Sequence, residues 1–223
     1  MKAFSKIGYA IGLTLSILII MMLIIPEKED WHILGPSNPG HENLTCNDCH
    51  VEAEGIYRQQ IQANFKALIG MRSSSVTFGF EPVTNENCIA CHDRPNDNHP
   101  VFRFLESRFA DARKAIAPQF CESCHLEHQG VRVTQDSTYC INCHTDLEIP
   151  DDPIEGTTHT ELVVNEEWGT CLGCHDFHGN HDRTVPITMD ELISQDAIIG
   201  YFAQGQSPYS DKHFYEAKEH LND

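Results

Sequence analysis

All ten cysteines of this 223-residue chain fall in five copies of one pattern. The copies are Cys46-Asn47-Asp48-Cys49-His50, Cys88-Ile89-Ala90-Cys91-His92, Cys121-Glu122-Ser123-Cys124-His125, Cys140-Ile141-Asn142-Cys143-His144 and Cys171-Leu172-Gly173-Cys174-His175. Cys-x-x-Cys-His is the attachment signal for a c-type haem. The two thiols bond to the two vinyl groups on one edge of the porphyrin, and the imidazole that follows meets the iron as proximal ligand. Five disulfides would also use ten cysteines, and paired Cys-x-x-Cys runs also bind zinc. Neither explains a histidine after the second cysteine in every copy. The spacing predicts five covalently bound haem c groups.

The sixth ligand decides what such irons can do. Fourteen histidines are present. Five are proximal, and His32, His41, His99, His128, His159, His178, His181, His213 and His220 remain. Methionine is scarce, with only Met71 and Met189 beyond the N-terminal apolar stretch. So many spare histidines point to His/His ligation, which gives six-coordinate, low-spin, low-potential iron with no open site. The expected distal ligands are His41, just ahead of the first motif, His99, His128, His159, and one of His178 or His181. His128 lies three residues after His125, and so short a segment cannot pass round the edge of a macrocycle. His128 is therefore expected to serve a neighbouring haem, with the fourth as the nearest target along the chain.

These residues need elements to position them. Residues 27–223 provide about 39 residues per motif, too few for a conventional core, so the porphyrins are expected to form most of the interior. The fold class that follows is mainly α with extensive irregular loops, packed around five haems, plus one N-terminal transmembrane helix. Helices are expected over Gly55–Arg72, Val101–Ala117, Met189–Phe202 and Asp211–Leu221, the first two from apolar spacing. Ile7 to Ile25 is an uncharged run of 19 residues, with Lys2 and Lys6 before it and Glu27, Glu29 and Asp30 after it. It reads as an uncleaved single-pass anchor in the inner membrane, with the haem region in the periplasm, because no small-residue cleavage site follows it. The expected organisation is a cytoplasmic start (1–6), an anchor (7–25), a Pro/Gly linker (26–40), a pentahaem region (41–188) and a helical tail (189–223).

The formal charge is −18. Nucleic acid needs a basic face and is excluded as a partner. Acidity suits solubility or docking to a cationic patch on a redox partner protein. Arg103, Arg108, Arg113 and Lys114 make one basic stretch that could pair with haem propionates.

Cys121 to Gly130, followed closely by Cys140 to His144, resembles the doubled-motif multihaem cytochromes related to class III cytochrome c. The run Cys171-Leu172-Gly173-Cys174-His175-Asp176-Phe177-His178-Gly179-Asn180-His181 is similar to the C-terminal motif of membrane-anchored members of that group. The resemblance covers about residues 40–185. It implies bis-His haems packed in a chain and an electron-transfer role. The layout also resembles the tetrahaem quinol dehydrogenases that feed periplasmic reductases, although those have four motifs and a Met close after the first. It resembles too the anchored pentahaem subunit of alternative complex III. A quinol or a respiratory complex is thus a further partner class. A multihaem nitrite or hydroxylamine reductase would need an open axial position, and the Cys-x-x-Cys-Lys run of such nitrite reductases is not in the sequence. The expected function is electron relay between redox partners, without catalysis.

Overall fold

Each Cys-x-x-Cys-His run folds as a single turn of helix. The backbone N–H of the histidine donates to the carbonyl of the first cysteine in His50/Cys46 (2.8 Å), His125/Cys121 (3.0 Å), His144/Cys140 (3.0 Å) and His175/Cys171 (2.8 Å). The second run lies within a longer helix, Asn85–His92. Residues i, i+3 and i+4 of such a turn share one face. Both thiols and the imidazole therefore leave the backbone on the same side. Two of these turns start with a threonine bracket: Thr45 donates its N–H and hydroxyl to Asp48 (2.6 and 2.9 Å), and Thr84 does the same to Asn87 (2.8 Å each). A side chain three residues on thus occupies the orphan donors of the first turn.

The structure, a computed structural model, describes the backbone of residues 2–24 and 35–218 and the side chains of residues 6–21 and 35–218. His32, His220 and most of the expected linker lie outside the described residues. The α-helices are α1 Lys2–Ile24, α2 Cys46–Cys49, α3 Tyr57–Leu68, α4 Asn85–His92, α5 Ala110–Ile116, α6 His159–Val164, α7 Cys171–Cys174 and α8 Gln195–Ala203. Short 3₁₀ segments, including Cys121–Ser123 and Ser137–Asn142, carry the third and fourth motifs. Extended pairing among the described residues is confined to isolated bridges such as Glu52/Phe80. The chain is thus mainly helical with irregular loops. It divides into two compact units, Met1–Pro36 and Ser37–Asp223.

Among the described residues the buried hydrophobic side chains are Ala53, Phe104, Ala112, Trp168, Leu172 and Ile198. Much of the ordering is done by polar anchors instead. Gln60 of α3 is buried, donates to the Gly55 carbonyl (2.9 Å) and accepts from the Gly79 N–H (3.0 Å). Asn38 is buried too, and donates its side-chain amide to the Leu126 carbonyl at 3.1 Å.

Several expectations need correction. Among the described residues no helix is long and apolar enough to cross a membrane, so the single-pass inner-membrane placement does not stand. Through Ser16, α1 carries Lys2, Lys6, Gly8, Gly12, Thr14 and Ser16, which dilute its apolar content. The single helix expected over Val101–Ala117 is broken into the 3₁₀ segments Val101–Leu105 and Ser107–Phe109 and then α5. Glu106 is extended (ψ 147°) at the break, and Arg113 reaches back to donate to the Phe104 and Glu106 carbonyls (2.6 and 2.7 Å). The charges of this stretch are taken up locally, with Arg108 on Glu106 and Lys114 on Asp111. The helix expected from Met189 begins as a 3₁₀ turn and restarts at Gln195, where the Ser194 hydroxyl accepts from the Ala197 N–H. Through Lys218 the last segment has no helix. Its backbone pairs elsewhere, with Asp182 N–H on the Lys212 carbonyl (2.9 Å), Phe214 N–H on Asn180 (2.8 Å) and Lys218 N–H on Cys91 (2.8 Å).

Candidate haem-binding site

Four proximal imidazoles each face one other histidine. The ring centres are 5.9 Å apart for His92 and His41, 6.0 Å for His125 and His178, 6.3 Å for His144 and His99, and 6.2 Å for His175 and His159. A metal–imidazole bond is about 2 Å, so two such bonds in line, plus the half-ring on each side, separate ring centres by roughly 6 Å. The donor sets therefore fit an iron with two axial imidazoles.

The other ring nitrogen is held by the protein. His50 Nδ1 meets the Glu81 carbonyl at 3.1 Å, His99 Nδ1 the Phe177 carbonyl at 2.6 Å, and His125 Nδ1 the Arg132 carbonyl at 2.6 Å. A carbonyl only accepts, so Nδ1 carries the proton and Nε2 keeps its lone pair for a metal. Three further histidines meet carboxylates: His41 with Glu127 (2.9 Å), His159 with Asp152 (3.0 Å) and His178 with Asp97 (3.0 Å). Burial drives His92 down to about 4, assisted by Arg94, which favours the neutral imidazole that ligation needs. The hydrogen bond that His41 donates to Glu127 raises its value despite burial.

The thiols of the first cysteines also meet in pairs. Cys88 and Cys121 share a hydrogen bond, which raises Cys88 and lowers Cys121 to about 7. Cys140 and Cys171 do the same, with Cys171 lowered to about 7. The second and third motifs are therefore in contact, and so are the fourth and fifth. Burial raises the Cys49, Cys124, Cys143 and Cys174 thiols.

His178 and His181 separate clearly. His181 is buried, with Nδ1 on Asp176 (2.8 Å) and Nε2 on the Ser207 hydroxyl (3.0 Å), and its ring lies 4.7 Å from that of His213. Both of its nitrogens are engaged within the protein. Burial opposes ionisation of Asp176, but its hydrogen bonds from His181 and Asn180 outweigh this and hold it at about 2. His128 faces no proximal ring among the described residues. The histidine beside the fourth motif is His99, which the Phe177 carbonyl turns toward His144. His128 has a left-handed backbone (φ 63°) and a buried Nδ1 without a hydrogen-bond partner.

Sequence reasoning missed Glu127, Asp97, Asp152, Asp176 and Phe177. Glu127 and Asp97 are hidden by separations of 86 and 81 residues from His41 and His178, whereas Asp152 and Asp176 lie only seven and five residues from their histidines and are legible as nearby acids. The Asp97–His99 and Asp176–His181 loops are clamped together by the Asn98 N–H on the His178 carbonyl (3.2 Å) and by close approach of Asn98 to Gly179. Gly179 has φ +69°, and a Cβ there would overlap the Asn98 amide. Gly179→Ala is expected to cost about 1–2 kcal/mol in backbone strain alone and to push the two loops apart. Electron paramagnetic resonance of the matured protein should then show loss of low-spin signal from as many as two irons.

The five Cys-x-x-Cys-His turns and the four facing histidine pairs make the donor set that a multihaem c-type cytochrome uses. Residues 72–145, which include the second, third and fourth motifs, match the family model described as cytochrome c3. The chain is also 29% identical over 124 residues to the cytochrome c nitrite reductase subunit NrfH of Nitratidesulfovibrio vulgaris (strain Hildenborough), covering 48% of this chain and 67% of that one. No solved structure matches. These findings support a class III-like cytochrome c family for the chain.

Proposed function

We propose that the chain is a pentahaem electron relay, with His41, His178, His99 and His159 as the sixth ligands of the second, third, fourth and fifth motifs. The four histidine pairs at iron-spanning distance carry this reading. Bis-His iron leaves no position for substrate. Bound haem supplies the one-electron chemistry, and the protein sets spacing, ligands and electrostatics.

The motifs adjoin in sequence order. The Cys49 thiol is raised by burial and Glu127 and then by the Cys88 thiol, and the Cys88 and Cys121 sulfurs lie side by side. His178 and His99 both pack on Phe177, with ring centres at 5.0 and 4.2 Å. Cys140 then bonds Cys171. An electron entering at either end therefore meets each motif in turn. The relative's description as a reductase subunit supports a place in a larger oxidoreductase, passing electrons to a catalytic partner.

Intact mass of the matured protein should show five added haems. A stable count of four or fewer rejects the pentahaem reading. Oxidised protein titrated with cyanide or nitrite should show no spectral change at the four paired irons. A bound ligand there would favour a reductase instead.

A further inference from the structure

Three of the four proposed distal imidazoles meet a carboxylate, and one does not. His159 has both oxygens of Asp152 at 3.0 Å. His178 has Asp97 at 3.0 and 3.2 Å. His41 has Glu127 at 2.9 Å. His99 instead donates to the backbone carbonyl of Phe177 at 2.6 Å. Asp97 touches the His99 residue only through its backbone N–H, at 2.8 Å, and not through the ring.

We infer that these carboxylates set the order of potentials, so that the fourth motif holds the highest-potential iron of the four paired ones and collects the electron. This rests on the ligand reading above. A carboxylate accepting Nδ1–H draws the proton away from the ring and makes Nε2 a stronger donor. A stronger donor stabilises the more highly charged ferric state and lowers the potential. A neutral carbonyl does this far less, because it carries no full charge. The fourth motif lies between the third, reached through Phe177, and the fifth, reached through the Cys140–Cys171 contact. Both neighbours have carboxylate-backed ligands. The fourth is thus the low point of the path for an electron arriving from either side, and the place where a partner would draw it off.

The three carboxylates are not equal. His159 and Asp152 are the least exposed pair, at 15% and 11%. The Asp97 charge is partly balanced by Arg94 at 3.6 Å. His41 and Glu127 are each 32% exposed, and solvent screens them more. The effect is therefore greatest at the fifth motif.

The test compares Asp152→Asn, Asp97→Asn and Glu127→Gln in fully matured protein by spectroelectrochemical titration. Each substitution keeps an acceptor for the imidazole and removes the charge. Each should raise one redox step and leave the low-spin signals in place, with Asp152→Asn raising its step most. Asp190→Asn, on an exposed residue that takes part in none of these histidine hydrogen bonds or ion pairs, should move none. His159→Ala is run in parallel. If it yields a high-spin iron while Asp152→Asn moves no step, the ligand reading holds and the potential order is overturned. If His159→Ala leaves every iron low-spin, the ligand reading fails, and the inference with it.

Discussion

His178→Ala is expected to convert one iron from low-spin to high-spin, whereas His181→Ala should leave every iron low-spin. The two histidines are three residues apart and equally plausible by spacing alone. Their surroundings differ in what they leave free. His178 presents its Nδ1 to Asp97 and its ring to His125, with 6.0 Å between ring centres. His181 spends Nδ1 on Asp176 and Nε2 on Ser207, deep in a cluster with Tyr209 and His213. Ligating iron through His181 would break a buried hydrogen bond at a cost of about 1–3 kcal/mol. Loss of the His178 imidazole should also raise the potential of that iron, since a strong donor is gone. His181→Ala should act on stability instead. It removes a partner of Asp176, whose folded-state value is depressed to about 2. The stability that this depression contributes is present above the unfolded carboxylate range and is lost only as pH falls toward 2. Destabilisation by His181→Ala should therefore be seen at neutral pH and shrink in strong acid. Low-spin signals unchanged in His178→Ala, or a high-spin iron in His181→Ala, would reverse the assignment.

What could be read from the sequence was local. Five residues in a fixed spacing make one helical turn, and that turn aims two thiols and an imidazole at one porphyrin edge without help from the rest of the chain. The excess of histidine over methionine likewise signals the ligand type. The pairing of those histidines depends on contacts across the chain. His178, after the fifth motif, meets His125 of the third, and His41, ahead of the first motif, meets His92 of the second. The three-residue argument made for His128 applies with equal force to His178, and the structure applies it there. The geometry of a turn says that such a histidine must reach another motif, but not which one. The helix expected over Val101–Ala117 breaks for a similar reason. The apolar spacing is helical, yet Arg113 satisfies the carbonyls of Phe104 and Glu106 and makes a broken backbone tolerable.

His128→Ala is expected to affect the first motif and no other. In the proposed pairing His41, His178, His99 and His159 serve the second to fifth motifs, and His50 is the proximal imidazole with no histidine ring opposite it among the described residues. Among the described residues the other spare histidines, His181 and His213, pack on each other, which leaves His128 as the distal candidate. Its neighbour Glu127 accepts from His41, five residues ahead of Cys46, and after burial it raises the Cys49 thiol, so the turn at His128 lies near the first motif. Glu127 and Asn38 fix that turn: Glu127 accepts the Asn38 N–H at 2.6 Å, and the Asn38 amide oxygen accepts the Gln129 N–H at 3.3 Å. A non-glycine residue at φ 63° costs about 1 kcal/mol or more and persists only where its surroundings hold it. The buried Nδ1 of His128 has no hydrogen-bond partner, a further cost that is removed where Nδ1 itself is the nitrogen that meets iron. In matured His128→Ala, one iron should become high-spin while five haems remain attached and the four paired irons keep their low-spin signals. His99→Ala provides the contrast, since it should release the iron at His144 instead. The two variants should therefore perturb different redox steps, and the double variant should show two high-spin irons. If His128→Ala leaves all signals and potentials unchanged, His128 is a structural residue of the Asn38–Glu127 turn, and the first iron takes its sixth ligand from elsewhere.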